Sequence, residues 1–206
     1  MIKHEYKKQE KNLYFPKEEP SLIDVPSMNY LSISGKGNPN SQEFSEKISA
    51  LYSLSYAIKM SYKNNYPIDG YYEYTVYPLE GVWDLSEDGR EKTVLDKNEL
   101  IYTIMIRQPE FVTEKIFTDL QKKTILKKNI PYLSEVKLEE VHDGKSIQIM
   151  HVGSFDDEPR SFQKMKDYLL KNNLKQRSLV HREIYLSNFL KVEKDKLKTV
   201  LRYFIE

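Results

Sequence analysis

Apolar and polar positions along this chain fall into stretches of period two and period 3.6, separated by turn residues. Residues 1–20 are polar and end at Pro20, which predicts a tethered lead-in. Leu22-Ile23-Asp24-Val25 predicts a short strand closed by Pro26, and Asn29 to Ser34 alternates up to the turn signal Gly35-Lys36-Gly37-Asn38-Pro39-Asn40. Phe44, Ile48, Leu51, Ser55 and Ile58 then recur at helical spacing, so one face of an amphipathic helix is expected over 41–62. The tyrosine-rich run from Gly70 to Pro78 has the highest strand propensity in the chain, and Pro78 ends it. Leu100 to Arg107 resumes as a strand, and Pro109 opens a helix whose apolar residues are Val112, Ile116, Phe117 and Leu120.

The second half follows the same plan. Val136–Val141 and Ser146–Val152 predict a hairpin around Asp143-Gly144. Phe155-Asp156-Asp157-Glu158-Pro159 is an acidic lead suited to a helix N-terminus, and Phe162, Met165 and Leu169 line that helix. Strands follow at Leu179–Ser187 and Leu197–Ile205. Each half thus reads two strands, one helix, two strands: 21–35, 41–62, 71–79 and 99–107 against 135–152, 158–173, 179–188 and 197–205. The expected fold class is α+β, a duplicated unit with pseudo-two-fold symmetry and a ligand groove between the repeats. The expected organisation is a lead-in over 1–20 and a single domain over 21–206. That domain holds repeat one (21–107), a connecting helix (109–128) and repeat two (135–205).

Composition removes several function classes. Among 206 residues, 32 Lys plus Arg face 31 Asp plus Glu, so no basic excess points to direct nucleic-acid binding. Without cysteine there is no disulfide, thiol nucleophile or thiolate metal site. No apolar run approaches the roughly 20 residues that span a bilayer, and the amino terminus lacks a signal-peptide core, so a cytoplasmic protein with no membrane partner is expected. The four histidines, His4, His142, His151 and His181, show no ligand spacing. Gly-rich phosphate loops and serine nucleophile elbows are missing too, so neither a metal nor a cofactor is expected. What stands out is 16 tyrosines beside eight phenylalanines and one tryptophan. An apolar ring with a polar tip suits pockets and interfaces.

The candidate site centres on the strand around Glu183. Alternation sends Val180, Ile184 and Leu186 one way and His181, Glu183 and Tyr185 the other. That second set is either the solvent face of a half-buried strand or a carboxylate facing a ligand among aromatic rings. Trp83, Tyr77, Tyr102, His151, Phe155 and His181 are the candidate ligand contacts. Trp83 reads equally as a core or loop anchor, and for His151 a satisfied structural histidine is the commoner outcome. A buried Glu183 would need a cation or a proton to compensate it. It could hold a cationic aromatic ligand with help from the rings, or act as a general base towards water.

Several blocks together resemble the GyrI-like small-molecule-binding family. They are Met28–Pro39, Ala50–Met60, Pro78-Leu79-Glu80-Gly81-Val82-Trp83, His151–Pro159, His181–Ser187 and Leu197–Arg202. The resemblance implies a pair of SHS2-type ββαββ modules, an antiparallel sheet with helices on one side, and a groove between the modules. Relatives include the drug-sensing halves of multidrug-responsive transcription regulators, in which a buried glutamate matching Glu183 meets cationic drugs, and the DNA gyrase inhibitor protein. The chain resembles the stand-alone branch most closely, and that branch includes cyclopropanoid cyclopropyl hydrolases, which open the cyclopropane of DNA-alkylating compounds with water. The implied function is detoxifying hydrolysis of electrophilic planar cyclopropane compounds. Glu183 and Tyr185 would be catalytic, with Tyr77, Trp83 and Tyr102 stacking on or hydrogen-bonding the ligand. The alternatives are a non-enzymatic binder or sensor of lipophilic cations, and a module that inhibits a protein partner. The implied partner is a planar hydrophobic or cationic small molecule, and either a monomer or a homodimer is compatible with the sequence.

Overall fold

The computed structural model describes residues 3–189 and 191–206. In chain order the elements are α1 (Tyr6–Gln9), α2 (Lys11–Tyr14), β1 (Ser21–Val25), β2 (Met28–Lys36), α3 (Gln42–Lys59), β3 (Leu79–Leu85), α4 (Glu87–Glu91), β4 (Leu100–Arg107), α5 (Glu114–Lys127), β5 (Lys137–Val141), β6 (Gly144–Val152), α6 (Glu158–Lys171), β7 (Gln176–Tyr185) and β8 (Lys198–Ile205). The class is α+β, and the registered strand pairs run antiparallel. The chain divides into two compact units. Among the described residues, no helix is long and apolar enough to cross a membrane.

The first unit comprises residues 3–5, Met28–Leu79 and Leu85–Val141. Its strands lie in the order β4-β2-β5. The helix expected from the spacing of Phe44, Leu51 and Ile58 forms and buries those three residues. Ser41 starts it by accepting the Phe44 backbone N–H, and Thr113 caps α5 the same way through Ile116. Gly70–Pro78 departs from its strand propensity and contributes only an isolated bridge between Tyr74 and His4. Tyr71, Tyr72 and Tyr74 all turn towards Phe111, at ring distances of 5.3, 5.2 and 6.0 Å. A strand would send Tyr71 and Tyr72 to opposite faces, so clustering these rings requires an irregular backbone.

The second unit comprises Tyr6–Ser27, Glu80–Asp84 and His142–Glu206, with strands in the order β1-β6-β8-β7-β3. Helix α6 lies over one face, where Met165 and Leu169 join Ile147, Ile149, Leu201, Tyr203 and Ile205 in a buried cluster. Full burial of such side chains is worth about 1.5–3 kcal/mol each. From Tyr6 onward, the stretch read as a lead-in packs into this unit. Tyr6, Leu13 and Tyr14 are buried, and the carbonyls of Asn12, Leu13 and Lys17 accept from Gln148, Arg202 and the Met150 backbone.

Two further expectations are corrected by the strand pairing. The Asp143-Gly144 hairpin does not form: β5 pairs with β2, while β6 lies between β1 and β8. Asp143 is drawn into a buried ion network, where Arg182 Nε and Nη2 each donate to its carboxylate at 2.7 Å. The repeats are also not continuous blocks of chain. β1, from the first repeat, pairs with β6, and β5, from the second, pairs with β2.

Candidate functional site

The site is built in the second unit by strand alternation on β7. Arg182 and Ile184 point away from α6, and His181, Glu183 and Tyr185 point towards it. Glu183 is only 9% exposed, so it is not a solvent-face residue. The Tyr185 hydroxyl donates to its Oε2 at 2.7 Å, and His181 Nε2 lies 3.1 Å from its Oε1. Trp83 Nε1, on β3, donates to the Tyr185 oxygen at 2.8 Å. Indole, phenol and carboxylate thus form one directed chain of hydrogen bonds. Burial and then the Glu183 charge push the Tyr185 hydroxyl well above its ordinary range, so it stays a donor.

Gly81 makes room for this chain. A Cβ there would stand 2.6 Å from Trp83 Nε1 and 3.2 Å from the Tyr185 oxygen. Around it lie more rings. Phe155 meets Tyr185 edge-on at 5.9 Å and approaches Phe189 at 6.4 Å. Phe162 meets His181 at 4.9 Å and Tyr203 at 5.0 Å. Phe155 and Phe189 are 40% and 43% exposed, apolar rings left partly open to solvent.

A second carboxyl, not singled out by the sequence, completes the site. Glu158 opens α6, is 7% exposed and is hydrogen-bonded to Glu183. Burial, then the charge and hydrogen bond of Glu183, then the charge of Asp156 push it up to about 10, so it holds a proton at neutral pH. Its Oε1 is buried without a hydrogen-bond partner. In sequence Glu158 reads as one more acid complementing a helix dipole, and nothing local couples it to Glu183. The one available signal was its placement beside Pro159, which fixes the first helical turn.

The opposite face of the same strands carries the reverse electrostatics. Arg182 bridges Asp143 and Glu80, the latter at 2.9 Å, while Arg202 reaches Asp143 at 3.2 Å and Gln148 at 3.0 Å. Burial pushes Asp143 up, but the charges and hydrogen bonds of Arg182 and Arg202 outweigh it and hold its carboxyl below the usual range. At Glu80 burial dominates over the two arginines and raises it.

The remaining candidates are placed as follows. His151 is buried with both ring nitrogens engaged, by Ser161 Oγ and the Ser154 carbonyl, each at 2.9 Å. Tyr77 and Tyr102 belong to the first unit. The Tyr77 hydroxyl lies 3.2 Å from His4 Nε2, with the Arg107 guanidinium 4.6 Å over its ring. Tyr102 meets Phe44 edge-on at 4.9 Å and lies under the Lys47 ammonium at 5.6 Å. Among the described residues no cluster of His, Asp and Glu suited to a metal ion occurs.

On this antiparallel α+β scaffold, a buried carboxylate is hydrogen-bonded to a tyrosine on which further aromatic rings gather. The GyrI-like small molecule binding domain matches residues 18–205, and the chain belongs to that family. It is similar to a hydrolase from Listeria innocua, with 34% identity, 99% of this chain and 100% of that one covered, and a TM-score of 0.90. An uncharacterized conserved protein from Listeria innocua is 35% identical over 99% of this chain and 100% of its own, with a TM-score of 0.92. The EcmrR C-terminal domain, 10% identical over 91% of this chain and 97% of its own with a TM-score of 0.55, shares the fold alone. No curated protein sequence matches the chain.

Proposed function

We propose that this protein binds planar hydrophobic small molecules and hydrolyses electrophilic ones that carry a strained cyclopropane, with Glu183 as the general base. The observation that carries the proposal is the buried Glu183 carboxylate, held at 2.7 Å by Tyr185, which Trp83 and Phe155 meet in turn. Similarity to a hydrolase over nearly the whole of both chains supports chemistry in addition to binding. In this reading Glu183 takes a proton from water as the water oxygen attacks the cyclopropane methylene. The carbon–carbon bond to the spiro centre breaks, its electron pair enters the dienone, and the resulting phenolate regains the proton through solvent. Tyr185 keeps the carboxylate oriented, and because its hydrogen is committed to Glu183, it positions the base instead of steadying the phenolate.

The test compares the wild type with Glu183→Gln on a spirocyclopropyl dienone, with the water adduct followed by mass spectrometry. Turnover in the variant should fall by about 10²- to 10⁴-fold, while affinity for the neutral substrate stays within a few-fold. A variant as fast as the wild type overturns the base assignment. A wild type that leaves the compound at the buffer rate favours the second reading, a binder of lipophilic cations. That reading is supported by a buried carboxyl pair without a lysine or arginine salt bridge among the described residues.

A further inference from the structure

The two faces of β7 neutralise their buried carboxyls in different ways. On one face, Glu80 and Asp143 meet two guanidinium groups. On the other, Glu158 and Glu183 are paired with each other. The groups facing Glu158 are Glu183 and Tyr185 from β7 and Asp156 from the turn before α6, and His181 reaches the pair through Glu183. Neither carboxyl has a lysine or arginine salt bridge among the described residues, so a proton does the work that arginine does opposite. A buried oxygen, Glu158 Oε1, is left without a partner.

We propose that Glu158 lets the site adjust its charge to its ligand, keeping its proton beside a neutral ligand and releasing it to solvent when an organic cation binds. Proton and cation are competing solutions to the same problem, a second carboxyl buried beside a first. With its proton, the pair offers one negative charge and one donor, which suits a neutral electrophile. Without it, the pair offers two charges, and Glu158 Oε1 gains the positive neighbour it lacks. This inference rests on the small-molecule-binding reading and does not require turnover.

A matched pair of probes tests it: phenanthridine, neutral above pH 7, and N-methylphenanthridinium, a fixed cation of nearly the same shape. Titration calorimetry of the intact protein at pH 8, in two buffers of different ionisation heat, reads the protons exchanged. The cation should release close to one proton per complex and phenanthridine none. Cation affinity should rise by about tenfold per pH unit between pH 7.5 and 9, above the range in which an ordinary imidazole titrates. Glu158→Gln should bind the cation with no proton release and a flat pH dependence. The pH dependence of the wild type stands as a test even if that variant fails to fold. Cation binding without proton release overturns the proposal, as does an undiminished slope in folded Glu158→Gln. Binding of phenanthridine alone also overturns it while sparing the small-molecule reading, and binding of neither probe counts against both.

Discussion

A carboxyl that keeps its proton through burial makes the folded chain bind more protons than the unfolded chain over the range between its two pKa values. For Glu158 that range runs from the ordinary carboxylate value up to about 10. Its folded pKa is raised, so the stability it contributes is fully present in acid and drains away as pH rises. Glutamine has nothing to titrate. The stability of Glu158→Gln relative to the wild type should therefore climb between pH 5 and pH 9 by about 1 kcal/mol per pH unit. Urea midpoints at pH 5, 7 and 9 read this directly, and a constant gap would show that Glu158 is ionised throughout. Gly81 makes a separate residue-scale case. Gly81→Ala puts a methyl 2.6 Å from Trp83 Nε1, in the space that the indole uses to reach Tyr185. The expected result is a folded protein with altered tryptophan emission and weakened ligand binding. Unchanged emission would mean that β3 shifts to absorb the methyl.

Among the elements, β7 was the most legible, because strict alternation assigns its faces before any coordinates are known. His181, Glu183 and Tyr185 do share one face, and Ile184 lies on the other with Arg182. The pattern could not show that the face with Glu183 is covered by α6, since that depends on packing between distant segments. Nor did it show that Arg182 is buried. A guanidinium interrupting apolar residues reads as exposed, yet Arg182 sits at 0% exposure between Asp143 and Glu80. The same network explains the failed hairpin, because the Asp of an Asp-Gly turn signal serves as the counter-ion of two arginines. Removing that counter-ion leaves Arg202 without a carboxylate and Arg182 with Glu80 alone, so Asp143→Ala should cost about 3–5 kcal/mol in chemical denaturation. Glu80→Gln should cost less, because burial already raises Glu80 and only one of its oxygens is bonded to Arg182. Equal costs would mean that the arginines draw on the two acids alike.

At the scale of the whole molecule, the order of elements was readable and the ownership of strands was not. Periodicity finds a strand, but it does not say which partner takes its free edge. β1 falls in sequence between two stretches of the first unit and pairs in the second, and Glu80–Asp84 leaves the first unit to supply Trp83 and Gly81 to the site. The second unit is therefore assembled from three separate stretches of chain, and the carboxyl pair depends on all of them being present. A fragment covering 142–206 would retain Glu158, Glu183 and the cluster under α6, but it would lose β1 from the edge of β6 and β3 from the edge of β7. It would also leave Arg182 without Glu80, and Arg202 and Gln148 without the carbonyls of Leu13 and Asn12. Two open strand edges, and one carboxylate left to serve two buried guanidinium groups, outweigh what one small apolar cluster supplies in a piece of this size. The isolated fragment should show no cooperative unfolding by circular dichroism and no slowly exchanging amides on β6 or β8. A fragment that melts cooperatively with protected amides would mean that the second half of the chain is a self-sufficient module.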